Sequence, residues 1–192
     1  METKGIETFY PANREQWRQW LEKNHDTQQS VYLILYRKNT GIATISRSDT
    51  VDEALCFGWI DSTSRPLDDQ KFLQLMTRRK PTSVWSKINK AKVAQLIADN
   101  LMTTAGYTSI EIAKKNGSWN ILDEVEELII PPDLEKAFRL HKGAKAFFAG
   151  LSKSTKKAML QWLVLAKRPE TRQQRITEIA SKAGQQLKPK QF

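Results

Sequence analysis

The run Val31-Tyr-Leu-Ile-Leu-Tyr36 places six apolar or aromatic residues in a row with no charge among them. A stretch that short, with apolar side chains on both of its alternating sides, predicts a strand in the interior of a sheet, ending near Lys38 and Gly41. The neighbouring segments supply what such a strand must pack against. Upstream, Asn13 and Gln16 form a capping pair, and Trp17, Trp20, Leu21 and Asn24 recur on one helical face. A short strand is expected just before that helix, at 8–10. Downstream, Ser48-Asp-Thr-Val-Asp-Glu53 offers capping oxygens and first-turn acids to a second helix, whose Val51, Ala54 and Leu55 share a face and which stops near Gly58. Residues 60–67 and 71–77 flank the polar turn Asp68-Asp69-Gln70 and predict a β-hairpin. Pro81 ends the second of these strands. Ser83 is expected to cap a third helix over 85–101, with Asn89, Val93, Leu96 and Ile97 in its period. A fourth helix over 107–115 ends at Asn116-Gly117, a pair suited to the left-handed conformation.

The pattern then changes. Asp123, Glu124, Glu126 and Glu127 form an acidic stretch, and Pro131-Pro132 suits a helix start at Asp133. Beyond it Gly143, Gly150 and Pro169 punctuate a series of helices. Met159, Trp162, Leu163 and Ala166 make one apolar stripe, and Ile176, Ile179, Ala180 and Ala183 make the next. The fold class is therefore α+β: a small antiparallel sheet packed with helices over 1–118, followed by an all-helical basic domain over 119–192. Charge is unevenly spread along the chain. Residues 136–192 carry fourteen Lys or Arg against two acids, whereas 1–135 carry 17 against 19, so the net +10 resides in the stretch from 136 onward. Lys153, Lys156 and Lys157 on one helix and Arg172, Arg175 and Lys182 on the next form a candidate anion-binding face, open to nucleic acid or another anionic partner. A basic solvated face is the plainer reading of the same residues.

One cysteine, Cys56, leaves no internal disulfide, and METKGIETFY has neither the basic start nor the apolar stretch of a secretory leader. No apolar run approaches the roughly 18 residues of a spanning helix. A cytoplasmic chain without a transmembrane segment is expected.

The densest group of unusual residues is Cys56-Phe-Gly-Trp-Ile-Asp-Ser62 with Arg78-Arg-Lys-Pro-Thr-Ser-Val-Trp-Ser-Lys-Ile-Asn89. Ser86 and Asn89 fall on the face of Val93 and Leu96, so two polar groups stand at the leading end of a core-facing stripe, and buried polar groups need partners. Folding the hairpin back would bring Asp61, Arg78 and Arg79 to them and produce a small polar pocket walled by Trp59 and Trp85, with the helix N-terminus favouring an anion. Mutual satisfaction of these groups, with no ligand, is the alternative. Cys56 as a nucleophile lacks a base nearby in sequence, and a buried thiol acting as a small hydrophobe fits better. His25 and His141 have no companion at metal-ligand spacing, the acids at 123–127 lack the glycine pattern of an EF-hand, and no phosphate-binding glycine loop is present. No metal, cofactor or catalytic residue is therefore assigned. Phe147, Phe148 and Trp162 sit at apolar helical positions and are expected in the core rather than on a stacking platform. A helix-turn-helix around Pro169 lacks the tight glycine turn.

Glu53-Ala-Leu-Cys-Phe-Gly-Trp-Ile-Asp61, the Arg78-Arg79 to Pro81 stretch leading into Trp85-Ser86 and Asn89, and Pro131-Pro-Asp-Leu134 resemble the YdeI/OmpD-associated, or bacteriocin-protection, family. Ala146-Phe-Phe148, Leu151-Ser152, Trp162, Ala166-Lys-Arg-Pro-Glu-Thr-Arg172 and Arg175-Ile176 are similar to that family's helical part. The resemblance spans nearly the whole chain. It implies a YjbR/CyaY-like N-terminal domain, a helical C-terminal region and a role in tolerance of bacteriocins or antimicrobial peptides, and it supplies no catalytic residues. The expectation is a cytoplasmic, non-enzymatic protection protein acting by binding. Two alternatives stand beside it: nucleic-acid binding through the basic helices, and a small-molecule or anion pocket that serves either binding or an enzymatic reaction. Direct capture of cationic peptides is opposed by the basic tail, so indirect protection is favoured.

Overall fold

The structure, a computed structural model, describes residues 5–192; residues 1–4 of the stretch read for a leader lie outside it. The chain divides into two compact units, Met1–Trp119 and Asn120–Phe192.

In the first unit β1 (Thr8–Phe9), α1 (Arg14–Asn24) and β2 (Ser30–Tyr36) follow one another, then α2 (Arg47–Cys56), β3 (Trp59–Pro66), β4 (Lys71–Arg78), α3 (Lys87–Ala98) and α4 (Thr104–Lys115). The strands form one sheet in the order β1-β2-β4-β3. The hairpin β3–β4 and the pair β2–β4 are antiparallel, but β1 runs parallel to β2, Thr8 opposite Tyr32. That pairing departs from the antiparallel expectation because α1 intervenes: a parallel neighbour needs a crossover, and α1 is one.

Strand β2 lies inside the sheet, as its apolar run requires. Val31, Leu33 and Leu35 are buried and the alternate residues are half-buried. On the second face cations lie over the aromatic rings: the Arg65 guanidinium is 4.6 Å from the Tyr32 ring centre and the Lys71 ammonium 5.7 Å from that of Tyr36. On the core face, α1 brings Trp17 and Trp20, stacked with centroids 5.2 Å apart, and Trp59 meets Trp20 edge-on at 5.7 Å. Asn13 caps α1 through the Gln16 amide as its spacing predicts, and the Gln16 side chain returns a bond to Ala12 N. Between Asp61 and Ser64 strand β3 shifts register, and the fully buried Gln74 donates to Ser62 O at 3.2 Å to hold the irregularity.

Two helix starts differ from the sequence reading. Ser46, not Ser48, caps α2. Ser86, not Ser83, caps α3, and the Ser83 hydroxyl instead accepts from Lys80 N in the preceding turn. Several serines lie within reach of each start, and the one with extended backbone just before the first helical residue takes the role.

The second unit contains α5 (Asp123–Glu126), α6 (Pro132–Arg139), α7 (Ala144–Gly150), α8 (Lys153–Val164) and α9 (Pro169–Gly184). Helix α9 packs against α6, α7 and α8 and buries Ile176, Ile179, Ala180 and Ala183, the stripe read from the sequence. The stripe of α8 is Met159, Leu160 and Leu163; Trp162 is half-buried beside it. Phe148 is buried against Phe138, whereas Phe147 is half-buried, so only one of the three aromatics expected in the core is sealed there. Among the described residues no helix is long and apolar enough to cross a membrane.

Candidate functional site

The end of β4 and the turn after α2 meet through their backbones. Arg78 N donates to Gln29 O at 3.1 Å and Arg79 N to Gly58 O at 2.9 Å. Gly58 adopts φ +71, which a side chain rarely allows, and α4 presses directly on it: a Cβ there would stand 3.1 Å from Ala105 O and 3.2 Å from Ser109 Cβ. Gly106 permits the same approach from the helix side, since a Cβ on it would run into Cys56 O and Met102 Sδ. Thr103 fixes the contact, its amide and hydroxyl both donating to Cys56 O, at 3.2 and 2.6 Å.

This junction borders an open cavity of about 430 Å³. One wall carries His25, Phe57, Gly58, Arg78 and Arg79, and the other is α4, through Thr104, Ala105, Thr108, Ser109 and Ile112; Asp26 stands at the exposed rim. Arg79 is the distinctive member. Its guanidinium carbon lies over the buried Trp85 ring, 3.5 Å from the ring centre, and Nη1 donates to Val84 O at 3.2 Å. The remaining edge, Nε and Nη2, is buried with no hydrogen-bond acceptor. Burial pushes the Arg79 pKa down to about 10, against the opposing pull of Asp61, so the cation is held with little compensation. Arg78 is more exposed and reaches Asp26 O at 3.1 Å through Nη1. His25 Nδ1 lies 2.9 Å from Leu21 O; a carbonyl only accepts, so Nδ1 carries the proton.

The eight residues singled out from the sequence therefore separate. Arg78 and Arg79 line the cavity, and Trp85 and Asp61 act on it through Arg79. Trp59, expected as a wall, is sealed in the core, where its indole donates to His25 O at 3.1 Å. Ser86 accepts from Asn89 N at 3.2 Å, so this polar pair is the N-cap of α3 rather than a pocket lining. Cys56 is fully buried, and burial, reinforced by Glu53, pushes its thiol up to about 11. It is an inert thiol at neutral pH.

Sequence reasoning missed the most buried acid of the first unit. Glu53 is 1% exposed, and its two oxygens are held by Arg14 Nε at 2.5 Å and Arg18 Nη1 at 2.9 Å. The signal was present in the spacing: Arg14 and Arg18 flank Trp17 on the face of α1 that meets the core.

The basic face of the second unit is partly committed to structure. Lys157 pairs with Glu126, Arg172 grips Asp133 through Nε and Nη2 at 2.7 and 3.0 Å, and Arg175 lies 4.8 Å from the Trp162 ring centre and donates to Trp162 O. Lys156 reaches Ala149 O at 3.0 Å. Lys153 is exposed and Lys182 half-buried. Arg175 and Trp162 border a separate cavity of about 460 Å³.

Residues 9–109, which include the Arg78–Arg79 cavity except for Ile112, match the family described as a domain of unknown function (DUF8412). Residues 127–186 match the family described as bacteriocin-protection, YdeI or OmpD-associated. No curated protein and no solved structure matches the chain.

Proposed function

The chain belongs to the DUF8412 family, and from that premise, joined to the bacteriocin-protection match of its C-terminal part, we propose that it is a protection-associated protein that acts by binding, not by catalysis. The place of binding in this reading is the Arg78–Arg79 cavity, and its ligand is a small anion. The observation that carries it is the pair Arg78 and Arg79 side by side on one wall of the cavity, with Asp26 the one acid in its lining. Two adjacent guanidiniums in a recess favour a negatively charged guest. We read the protein as cytoplasmic, with a YjbR/CyaY-like first unit and a basic helical second one over 119–192. Protection is indirect in this reading, because the surplus of fourteen cations over two acids from 136 onward repels cationic peptides.

Expression of the wild-type chain and of Arg79→Lys in a bacteriocin-sensitive bacterium tests the proposal. Survival should rise with the wild type and fall back with the variant. Equal survival with both would remove the cavity from the protective role. Electrostatic contact of the basic helices with nucleic acid is the second reading, supported by the same charge surplus.

A further inference from the structure

Helix α8 carries a second row of side chains besides the one it buries. Met159, Leu160 and Leu163 face the core, whereas Ala158, Gln161, Trp162 and Leu165 follow at i, i+3, i+4 and i+7 and share the outer face. Together with Arg175 of α9 these four line the open cavity of about 460 Å³. Leu165 is 37% exposed, and the half-buried Trp162 stands between the exposed Ala158 and Gln161 and that leucine. An outer helix face needs neither a tryptophan nor a leucine for folding, and apolar groups gathered in one recess are the usual mark of a binding surface.

Charge narrows the guest. Arg175 donates to Trp162 O and its guanidinium carbon lies 4.8 Å from the Trp162 ring centre, so a cation is fixed at the aromatic wall. Phe192 meets the same indole edge-on at 5.7 Å, which brings the exposed Lys190, two residues before it, to this end of the unit. Lys167 and Arg168, both exposed, follow shortly after Leu165. From Leu165 onward seven Lys or Arg stand against Glu170 and Glu178, the second of these one turn beyond Arg175. Such surroundings attract a polyanion. The recess adds what charge alone does not: an aromatic ring and a guanidinium, the two surfaces on which bases stack, and the Gln161 amide, which both donates and accepts. Its volume is ample for one nucleobase.

We propose that this cavity seats one unpaired base of a single-stranded nucleic acid, against Trp162 and Arg175, with the flanking phosphates met by Lys167, Arg168 and Lys190. A duplex keeps its bases paired and stacked, so it gains only the electrostatic part of the contact. Gln161 serves any base edge, and the seat is therefore tolerant of sequence. This rests on the second reading of the protein, contact of the basic helices with nucleic acid, and narrows it to unpaired strands at one place. The apolar spacing of Trp162 suggested core; its half-buried position on the outer face of α8 is what makes it available to a base.

Fluorescence anisotropy with the full chain tests it, at about 50 mM salt and with end-labelled probes of about 12 nucleotides. The probes are a thymidine strand, an abasic strand with the same phosphates, and a thymidine–adenosine duplex. The thymidine strand should bind at least about fivefold more tightly than the abasic one. Trp162→Ala should remove that advantage, Trp162→Phe should keep most of it, and the abasic strand and the duplex should bind both variants like wild type. Ala158→Leu is the companion variant: Ala158 is exposed and leucine suits a helix, so the change fills the cavity without burdening the fold. It should weaken the thymidine strand alone, and it decides the matter should Trp162→Ala lose the duplex as well. If the thymidine and abasic strands bind alike, or if neither Trp162→Ala nor Ala158→Leu weakens the thymidine strand relative to the other probes, the base seat is wrong and the electrostatic reading stands. If no probe binds with Kd below about 1 mM, the nucleic-acid reading falls with it.

Discussion

Glu53 shows how much of this protein's polarity is structural. Its carboxylate is sealed from water between Arg14 and Arg18, which are themselves part exposed, with side chains 39% and 27% accessible. Removing the charge leaves both guanidiniums without their buried partner, although each can recover some hydration. Glu53→Gln should therefore cost about 2–3 kcal/mol, below the figure for a fully buried pair, as read from urea unfolding. Cys56, three residues on, gives a cleaner readout. Its buried thiol should resist alkylating reagents at neutral pH until the first unit unfolds. The pH sign follows from the raised value: the contribution is complete below the unfolded thiol's pKa near 9 and is lost as pH rises through about 11, where only the unfolded chain ionises readily. The sequence made the inert thiol legible and hid Glu53, because an acid in Ser48-Asp-Thr-Val-Asp-Glu53 looks like helix-start chemistry until α1 is known to lie across it.

Whole elements were easier to read than the partners of their ends. The apolar run of β2, the hairpin around Asp68-Asp69-Gln70 and the stripe of α9 follow from periodicity alone, since each must bury one face. The start of α3 did not, because Ser83 and Ser86 carry the same side chain and only the surrounding backbone distinguishes them. For the same reason Ser86 and Asn89 suggested a pocket when they are a cap. The site that the structure does contain depends on α4 lying flush against the turn at Gly58, a contact no local pattern announces. Gly106→Ala should destabilise the first unit by about 1–3 kcal/mol, measured by thermal melting, because its Cβ meets backbone at Cys56 O. In the second unit the packing of α6 on α9 is reinforced by the ion pair Arg172–Asp133. Burial alone would raise Asp133, but hydrogen bonds from Arg172 and from Leu134 N outweigh it and hold the carboxyl below its usual range. Such a group stabilises above the unfolded pKa near 4 and loses that contribution as pH falls through its depressed folded value. Wild type should thus exceed Arg172→Gln in stability above about pH 4, and urea titrations should show the gap closing toward pH 2.

At the scale of the molecule, charge is the property most open to test. The six cations of the candidate anion face are not equally available, since Lys157, Arg172 and Arg175 are engaged by Glu126, Asp133 and Trp162. If nucleic acid binds through Lys153, Lys156 and Lys182, about three phosphates are neutralised, and the log-log slope of affinity against salt for duplex DNA should be near −2.7. A slope twice as steep would mean that the internal pairs open on binding. The two glycines at the contact of α4 with the turn after α2 carry a consequence for how such a protein can diversify. Gly58 and Gly106 leave no space for a side chain where α4 seats, so descendants of this chain that acquire a taste for a different guest must do so by substitutions along the cavity wall, at Thr108, Ser109 and Ile112, while that seat is inherited unchanged.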